Sequence, residues 1–431
     1  MLDLELVRTH PETIKEAARL KGIAVDVDRF LHLDEERRRL IQEVERLRQE
    51  RNDLSQSIPR LEPSQRQQAI GRAAAVKKEL EEKEPRLRDV EEAWRDLLLR
   101  LPNPPAPGTP TGASDADNVE IRRVGEMPSF PFTPRDHVEL LELHDAVEIE
   151  RAVKFAGSRS YILKNAAVFL EMALMRLALD LLHERGYAPM SVPVMVREEA
   201  MTGTGYFPLG REEVYRLERD DLYLIGTSEV SLVASRQQEL IPKEELPLRL
   251  AGLSPCFRRE VGSAGKDVRG LYRVHQFMKV EQVIIAPADP ELSHELHLEL
   301  LQNAEDLLQR LELPYRVVQV CTGDMGQGQV EKHDIETWMP SRGAYGETHS
   351  CSSFYDFQAR RSGIRYLEGG KPRYAYTLNN TLAASPRLLI ALLENHQRED
   401  GSIYLPPALR PYMGGVEVIQ PLGPRATQKR S

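Results

Sequence analysis

Two stretches near the start of the chain repeat apolar residues at intervals of seven positions. In the first stretch these residues are Leu33, Leu40, Leu47 and Leu54, with Val44 and Ile58 on the alternate positions. In the second they are Ala73, Leu80, Leu87, Trp94 and Leu101, accompanied by Val76, Val90 and Leu97. The intervening residues are mostly Glu, Lys, Arg and Gln, so the pattern predicts long helices that pack along one apolar seam.

The two repeats are separated by SIPRLEPSQ, whose prolines and serines interrupt a helix. We therefore predict an N-terminal domain over residues 1–100 that carries an antiparallel helical hairpin over about residues 28–100. Helices of about 30 residues would extend this arm by roughly 45 Å. Arg37 and Arg51 occupy seam positions, which suits an arm exposed along its length. The pattern alone fits equally well a coiled coil that dimerises the chain or an ordinary pair of bundle helices.

The rest of the chain lacks the seven-residue repeat. Residues 101–118 are dense in Pro, Gly and Ser, which predicts a linker. Residues 119–420 mix strand-like runs with apolar-periodic helices, so we predict a second, larger domain and an α+β fold class. Residues 421–431 form a basic tail that we expect to be flexible.

Composition narrows the function classes. With 431 residues, 41% of them hydrophobic and 29% charged, the chain is typical of a globular protein of two or three domains. Its formal net charge is −9, so contact with nucleic acid must come from local basic stripes. Cys256, Cys321 and Cys351 are too scattered for a CxxC metal site or a disulfide framework. We therefore expect a reducing, cytoplasmic location and no membrane partner, because no apolar run approaches the roughly 18 residues that span a bilayer.

A predicted hairpin carries the most informative charges. Two strand-like runs, LSPCFRRE and YRVHQFMKVEQVII, flank a glycine-rich and charged loop, which predicts an antiparallel hairpin with a long tip. Arg258 and Arg273 would project from facing strands, and Glu260 follows the first of them. Paired guanidinium groups can hold a phosphate or a carboxylate, although a surface hairpin with ordinary salt bridges is the simpler alternative.

Three further polar groups have ordinary alternatives. The run Thr227-Ser228-Glu229 follows a short strand and could simply cap a helix. Glu281 could be a strand glutamate that pairs with a nearby Arg or Lys. Arg387 lies at the start of an apolar helix, where a cation opposes the helix dipole and needs another partner.

Taken together, the motifs point to one family. The string GSAGKDVRGLYRVHQF resembles motif 2 of the class II aminoacyl-tRNA synthetases, and specifically of the seryl-tRNA synthetases. The helix AAVFLEMALMRLALDLLHERG with the extended segment around Pro193 resembles motif 1, and YTLNNTLAASPRLL resembles motif 3. The resemblance implies that the larger domain is a class II catalytic domain, with a mainly antiparallel sheet flanked by helices. It also implies a homodimer through the motif 1 region.

The same resemblance implies the reaction. The family uses ATP to activate L-serine as seryl-adenylate, and then transfers serine to the 3′ end of tRNA(Ser). In that family an N-terminal helical arm grasps the long variable arm of the tRNA, with contacts to phosphates and shape rather than to bases. Individual tRNA contacts on the arm, and the charging of tRNA(Sec), are left open.

Site residues are carried over from the family motifs. The residues implied for serine binding are Thr227, Ser228, Glu229, Arg258, Glu281, Asn379 and Thr381. Those implied for ATP binding are Arg258, Arg259, Glu260, Arg273, Val274, His275, Gln276, Phe277, Glu347, Thr348, His349, Ser350 and Arg387. Of these, Arg258, Glu260, Arg273 and Arg387 are the implied catalytic residues, while Glu347 and Ser350 would hold Mg²⁺ together with ATP.

Two local features of the sequence could be mistaken for metal ligands. His349 stands where the family more commonly has serine, and we expect a tolerated variant rather than a zinc ligand, because no Cys/His cluster lies near it in sequence. No zinc is therefore expected. The run HELH at residues 294–297 lacks the i, i+4 histidine spacing of metalloproteases and is interpreted as part of a helix face. Gly262, Gly265 and Gly270 would let the hairpin tip move.

Two rival classes remain open. An amino acid:carrier protein ligase would share the activation step, but such relatives lack a long helical arm. A non-enzymatic RNA-binding paralogue would not need the full set of charged residues that this chain retains. Serine-dependent ATP–pyrophosphate exchange, measured with and without tRNA(Ser), would separate these possibilities.

Overall fold

The computed structural model describes residues 1–261 and 269–422. The chain divides into two compact units, Met1–Pro104 and Pro105–Ser431. The hinge glycines Gly262 and Gly265, and all of the predicted tail except Pro421 and Leu422, lie outside the described residues. Within the described ranges, none of the helices combines the length and the apolar character that a membrane crossing requires.

The first unit consists of helices and contains the predicted arm. Its helices are α1 Leu4–Thr9, α2 Pro11–Leu20, α3 Val27–Ser57 and α4 Pro63–Arg100. The helical hairpin is confirmed, with α3 and α4 packed along the predicted seam. The break between them is shorter than SIPRLEPSQ suggested, because α4 begins at Pro63, where the fixed φ of proline suits a first helical turn.

The seam of the arm contains two apolar clusters. One joins Val44 and Leu47 of α3 to Val76 and Leu80 of α4, and the other includes Leu40 and Val90. Ion pairs flank the seam and join the two helices; they are Arg48–Glu84, Arg72–Glu50, Lys83–Glu43 and Arg86–Glu36. These cations already face carboxylates, so they are less suited to phosphate contacts than other exposed cations of the arm.

The second unit is built around a large sheet. Its strands are β1 Val119–Val124, β2 Val147–Glu148, β3 Ile162–Leu163, β4 Ala188–Ser191, β5 Met195–Val196, β6 Arg216–Leu217, β7 Leu222–Leu224, β8 Leu240–Ile241, β9 Leu248–Phe257, β10 Gln276–Ala286, β11 Tyr315–Gln319, β12 Glu331–Met339, β13 Ala344–Ser353, β14 Arg365–Glu368, β15 Lys371–Tyr374, β16 Tyr376–Ala384, β17 Ile403–Tyr404 and β18 Val418–Ile419. Its helices are α5 His137–Leu143, α6 Ile149–Ala156, α7 Ala166–Glu184, α8 Glu198–Thr204, α9 Glu229–Ala234, α10 Pro290–Arg310, α11 Phe357–Ser362 and α12 Ser385–Asn395.

The large sheet has the strand order β1-β11-β12-β13-β16-β10-β9-β4. Every neighbouring pair is antiparallel except β4 and β9, so the mainly antiparallel sheet is confirmed. Apolar residues of α7, α10 and α12 pack against the sheet in one continuous core, which includes Leu174, Leu300 and Leu389 together with Ile284 of β10. Because strand side chains alternate between faces, the other face of the same strands is free to carry polar groups.

The hairpin formed by β9 and β10 differs in detail from the prediction. Its strands pair from Phe257 opposite Gln276, so Arg258 and Arg273 lie beyond the paired strands instead of projecting from them. Beyond the end of β9, Glu260 adopts a left-handed conformation with φ 55°, which a strand does not continue through. The two segments remain close, since the backbone N–H of Arg258 donates to the carbonyl of His275 at 3.0 Å.

Candidate active site

Two adjoining cavities in the second unit collect most of the predicted site residues. The first, the acidic cavity, has a volume of about 230 Å³ and is lined by residues that include Thr227, Glu229, Lys279, Glu281, Asn379 and Thr381. The second, the arginine cavity, is lined by residues that include Arg258, Glu260, Phe277, Glu347, Thr381 and Arg387. Thr381 lines both, so the two cavities adjoin at this residue.

The acidic cavity is formed by central strands of the sheet. Lys279 and Glu281 are two residues apart on β10 and therefore share a face. Glu281 is paired with Thr381 of β16 on one side and with Gly252 of β9 on the other. A Cβ at Gly252 would lie 2.6 Å from the hydroxyl oxygen of Ser228, so only glycine lets the segment before α9 approach the sheet this closely.

The run Thr227-Ser228-Glu229 divides between site and scaffold. The Ser228 hydroxyl donates to the carbonyl of Gly252 at 3.1 Å, so this side chain fastens the segment to β9 and does not line either cavity. Thr227 Oγ1 accepts from Lys279 Nζ at 3.1 Å and from the backbone N–H of Glu229 at 3.3 Å. The helix-cap interpretation therefore applies in part to Thr227, while Ser228 makes no side-chain cap.

Glu229 is a buried carboxylate with neutral hydrogen-bond donors. Tyr206 donates to it at 3.2 Å and the Gln358 amide donates at 2.7 Å. Burial, and then the negative charge of Glu281, raise the pKa of Glu229 to about 7, although its hydrogen bond from Gln358 and the charge of Lys279 oppose this rise. A cationic group entering the cavity would stabilise the ionised form.

Lys279 is the principal functional residue that the sequence analysis missed. It is buried, forms an ion pair with Glu281 and donates to Thr227. The signal in the sequence was its position two residues before Glu281, which places a cation beside that carboxylate on one face of a strand. One lysine thus faces the carboxylates of both Glu229 and Glu281.

Two segments that belong to none of the sequence motifs complete the wall of the acidic cavity. Tyr206 and the segment 326–329 both line it. Arg361 of α11 donates to the carbonyls of Thr202 and Phe207 at 3.0 and 2.8 Å, which anchors the segment that carries Tyr206. Burial lowers the pKa of Arg361 to about 9, so the guanidinium remains charged at neutral pH.

The arginine cavity holds cations beside aromatic rings. The guanidinium carbon of Arg258 lies 5.4 Å from the centroid of Phe277. That of Arg387 lies 4.4 Å from the centroid of Tyr272, another cavity residue that the sequence analysis missed. Arg273 lines neither cavity, but it pairs with Glu260 of the cavity wall at 3.5 Å. The wall of the arginine cavity therefore presents the guanidinium groups of Arg258 and Arg387 beside two carboxylates.

Glu347 is the acidic counterpart of Arg387. Arg387 donates to the backbone carbonyl of Glu347 at 2.7 Å and lies 3.5 Å from its carboxylate. Desolvation acts to raise the pKa of Glu347, but the charges of Arg387 and Lys332 outweigh it and hold the pKa below its usual value. The carboxylate is therefore ionised at neutral pH, and the Glu347 side chain is 49% exposed to solvent.

Several predicted ATP-binding residues have side chains outside both cavities. Arg259 donates to the carbonyl of Glu212, and the His275 ring contacts the carbonyl of Arg258. His349 is fully surrounded, with its Nε2 2.9 Å from the carbonyl of Leu382 and its Nδ1 2.8 Å from the hydroxyl of Thr348. Burial lowers the pKa of His349 to about 4, so it is a neutral histidine inside the sheet.

The remaining predicted residues are distributed between the two cavities. Val274 and Thr348 line the arginine cavity, while Ser350 lines the acidic cavity. Gln276 lines neither of them and contributes to a separate groove beside α6. The fold thus brings together Thr227, Glu229, Arg258, Glu281 and Arg387 from distant parts of the chain.

Comparison with known proteins gives a consistent result. Residues 1–105 match the Seryl-tRNA synthetase N-terminal domain, and residues 213–396 match the tRNA synthetase class II core domain (G, H, P, S and T). The serine–tRNA ligase of Deinococcus radiodurans is 51% identical over 420 residues, which cover 97% of this chain and 99% of that protein. Among solved structures, seryl-tRNA synthetase from Pyrococcus horikoshii complexed with ATP has a TM-score of 0.89 and 39% identity, covering 98% of this chain and 100% of that one. The cytoplasmic serine–tRNA ligase of Naegleria fowleri in complex with AMP has a TM-score of 0.85 and 30% identity, covering 98% and 99%.

The buried charges of the acidic cavity predict a coupled effect on stability. Lys279→Met leaves the carboxylate of Glu281 buried without its cation, so we expect a loss of about 3–5 kcal/mol in the free energy of unfolding. Adding Glu281→Gln should restore part of this loss, because the unpaired charge is removed. Thermal unfolding of the single and double variants measures the coupling. Strictly additive losses would show that the two side chains do not act as a pair.

Proposed function

This chain belongs to the seryl-tRNA synthetase family, and we propose that its acidic cavity binds L-serine while its arginine cavity binds ATP. It is an ATP-dependent ligase of class II that joins serine to tRNA(Ser). The observation that carries the assignment of the cavities is the kind of charged group on each side of Thr381: Glu229 and Glu281 outnumber Lys279 in the acidic cavity, whereas the guanidinium groups of Arg258 and Arg387 line the other. An ammonium group suits one cavity and a triphosphate suits the other.

Serine is recognised by charge at one end and by a hydroxyl at the other. The carboxylate of Glu229 faces the ammonium group, and Glu281 with Thr381 accepts and orients the hydroxyl group. Asn379 of β16 supplies a further polar group to the same cavity. Bound alanine would leave the buried polar groups of the cavity unpaired, and a site of this kind prefers the substrate with the hydroxyl group by about 10⁴-fold or more. Threonine has to be excluded by the size of the cavity.

Activation requires alignment more than acid–base chemistry. The serine carboxylate oxygen attacks the α-phosphorus of ATP, the new P–O bond forms, and the bond to the leaving pyrophosphate breaks. Arg258, which lines the arginine cavity, would contact both the serine carboxylate and the α-phosphate and so fix the attack geometry. Arg273 and Arg387 balance the charge that develops on pyrophosphate, and the Phe277 ring provides a surface for adenine.

Magnesium is the proposed ion for ATP. The donor set fits, because Glu347 offers an ionised and partly exposed carboxylate and Ser350 offers a hydroxyl group. Mg²⁺ prefers one or two such oxygen ligands together with phosphate oxygens and water. When bound, it would neutralise charge on the triphosphate, while Arg387 holds the Glu347 side chain in place.

Exposed apolar side chains on two helices support the proposed homodimer. Apolar side chains are exposed on α6 and α7, with Phe155 at 77%, Phe169 at 63% and Met172 at 62% of full exposure. Exposed apolar groups of this size on the motif 1 helix favour a homodimer through this region.

The three cysteines are free and buried, which favours a reducing compartment and therefore a cytoplasmic location.

Serine binding should depend on pH through Glu229. Below pH 7 this carboxyl is mostly protonated in the empty cavity, and it must lose its proton to face the ammonium group. We therefore expect the KM for serine to fall by about tenfold between pH 6 and pH 8, and to level off above about pH 7. Pyrophosphate exchange at saturating ATP measures this. In Glu229→Gln the KM for serine should no longer change between pH 6 and pH 8. The same pH dependence in this variant would assign the titration to another group.

The two cavities should respond separately to mutation. Glu281→Ala is expected to lower kcat/KM for serine by about 10²–10³-fold while the KM for ATP changes by less than about threefold. Arg387→Ala should have the opposite pattern, with its main effect on ATP. The matched control is Glu239→Ala, because Glu239 forms a surface ion pair with Arg236 and lines neither cavity. Equal losses for serine and ATP in both variants would contradict the assignment.

The outer part of the arm should matter for tRNA only. Replacing residues 48–79 by a short Gly-Ser loop removes the arm tip and leaves the cluster around Leu40 and Val90. Serine-dependent pyrophosphate exchange should stay within about twofold of the parent chain, whereas charging of tRNA(Ser) should fall by at least about 100-fold as phosphate contacts are lost. Normal charging by the shortened protein would mean that the arm tip has a structural role alone.

A further inference from the structure

A cluster of histidine and glutamate side chains lies between α10 and β12. It comprises His294 and His297 of the helix and Glu331 and His333 of the strand. The His297 Nε2 and His333 Nδ1 atoms are 2.8 Å apart, and His294 Nδ1 lies 3.0 Å from the Glu331 carboxylate. The ligand atoms of His297, Glu331 and His333 all lie within 4.8 Å of one another.

The regular spacing of each element explains the cluster. Residues three apart on a helix share a face, as do residues two apart on a strand. From the sequence, the run at residues 294–297 was interpreted as part of a helix face, because it lacks the i, i+4 histidine spacing of metalloproteases. The strand supplies the partner residues of this run from more than 30 positions away.

This cluster is separate from the two cavities. Ser350 and Ser352 of β13 line the acidic cavity, whereas the alternate residues point toward α10. Cys351 Sγ lies 3.7 Å from His297 Nδ1, and the Ser353 hydroxyl lies 2.9 Å from that of Ser293. The cluster therefore occupies the helix-covered face of the sheet, opposite the acidic cavity.

Burial prepares the histidines for coordination and leaves an entry path. It lowers the pKa of His297 well below its ordinary value and that of His333 to about 4, so both rings are neutral at pH 7. Neutral imidazole is the form that binds metal ions. The His294 side chain keeps 56% of its exposure, so an ion could enter from that side.

We propose that His297 Nε2, His333 Nδ1 and the Glu331 carboxylate form a site for a divalent transition metal, with Zn²⁺ the best match, while His294 supports Glu331 from the outer side. Two imidazoles with one carboxylate suit Zn²⁺, whereas Mg²⁺ and Ca²⁺ require oxygen ligands. Tetrahedral Zn²⁺ with Zn–N bonds of about 2.1 Å separates two ligand nitrogens by about 3.4 Å, so the rings must part by about half an ångström.

Proton balance is maintained during this change. In the metal-free pair one ring donates an N–H to the other, and in the complex each neutral ring carries its proton on the nitrogen that faces away from the metal. The Nδ1–H of His297 then points toward Cys351 Sγ. The metal would fasten α10 to the first residues of β12 and has no part in the reaction.

Cobalt provides the direct test, because its visible absorption reports coordination. The full chain, stripped with EDTA and kept free of ATP, is titrated with Co²⁺ and then with Zn²⁺. We expect one Co²⁺ per chain with the absorption bands of four- or five-coordinate cobalt, displacement by Zn²⁺, and a higher thermal midpoint with Zn²⁺ bound. Absence of these bands at submillimolar protein and metal, where they are intense enough to detect, would overturn the proposal.

Three variants and two controls complete the test. His297→Gln, His333→Asn and Glu331→Gln should each weaken Co²⁺ binding by at least about 100-fold, since loss of even an outer-shell partner costs 10–100-fold. His183→Asn alters an exposed histidine of α7, and Glu347→Gln alters the proposed Mg²⁺ ligand, so both should bind Co²⁺ as the parent does. If a histidine variant fails to fold, Glu331→Gln decides, because its amide keeps the shape of the side chain. Parent-like binding by Glu331→Gln would refute the site.

Discussion

The active site depends on the placement of one lysine between two buried carboxylates. Lys279 pairs with Glu281 and contacts the Thr227 hydroxyl that leads to Glu229, so the acidic cavity holds two negative groups and one positive group. Burial of unbalanced charge is costly, and the protein responds by raising the pKa of Glu229. Under the proposed function, the ammonium group of serine supplies the missing cation, so charge balance favours an ammonium ligand before any contact with its side chain.

The antiparallel sheet makes this arrangement possible. On β10 the side chains of Lys279 and Glu281 face the cavity while Val280 and Gln282 face the helices, and Gln282 donates to the carbonyl of Leu300 on α10. Packing of the apolar core on one face of the sheet therefore fixes where the charged side chains of the other face lie, because the two sets alternate along the same strands. The proposed metal cluster lies on the helix-covered face, where it would strengthen the support of the site without touching a substrate.

Sequence patterns predicted those features that are local in the chain. The seven-residue repeat determined the helical arm, and the family motifs identified Thr227, Glu229, Arg258, Glu281 and Arg387, which the fold gathers around two cavities. The ends of elements were less accurate, because a proline can begin α4 and because the strands of the hairpin stop pairing at Phe257, before Arg258. Tyr206 and the histidine cluster were missed because their roles arise from proximity between distant segments, which spacing along the chain does not reveal. Lys279 did have a local signal, its position two residues before Glu281 on the same strand face.

The central claim is that the Glu229 carboxyl loses its proton when an ammonium group enters the acidic cavity. Calorimetric titration with a non-hydrolysable seryl-adenylate analogue, in buffers of different ionisation enthalpy, measures the protons released on binding. The account predicts release of nearly one proton per chain at pH 6 and almost none at pH 8, as follows from a pKa of about 7 in the empty cavity. Binding at pH 6 without proton release, or with proton uptake, would contradict it.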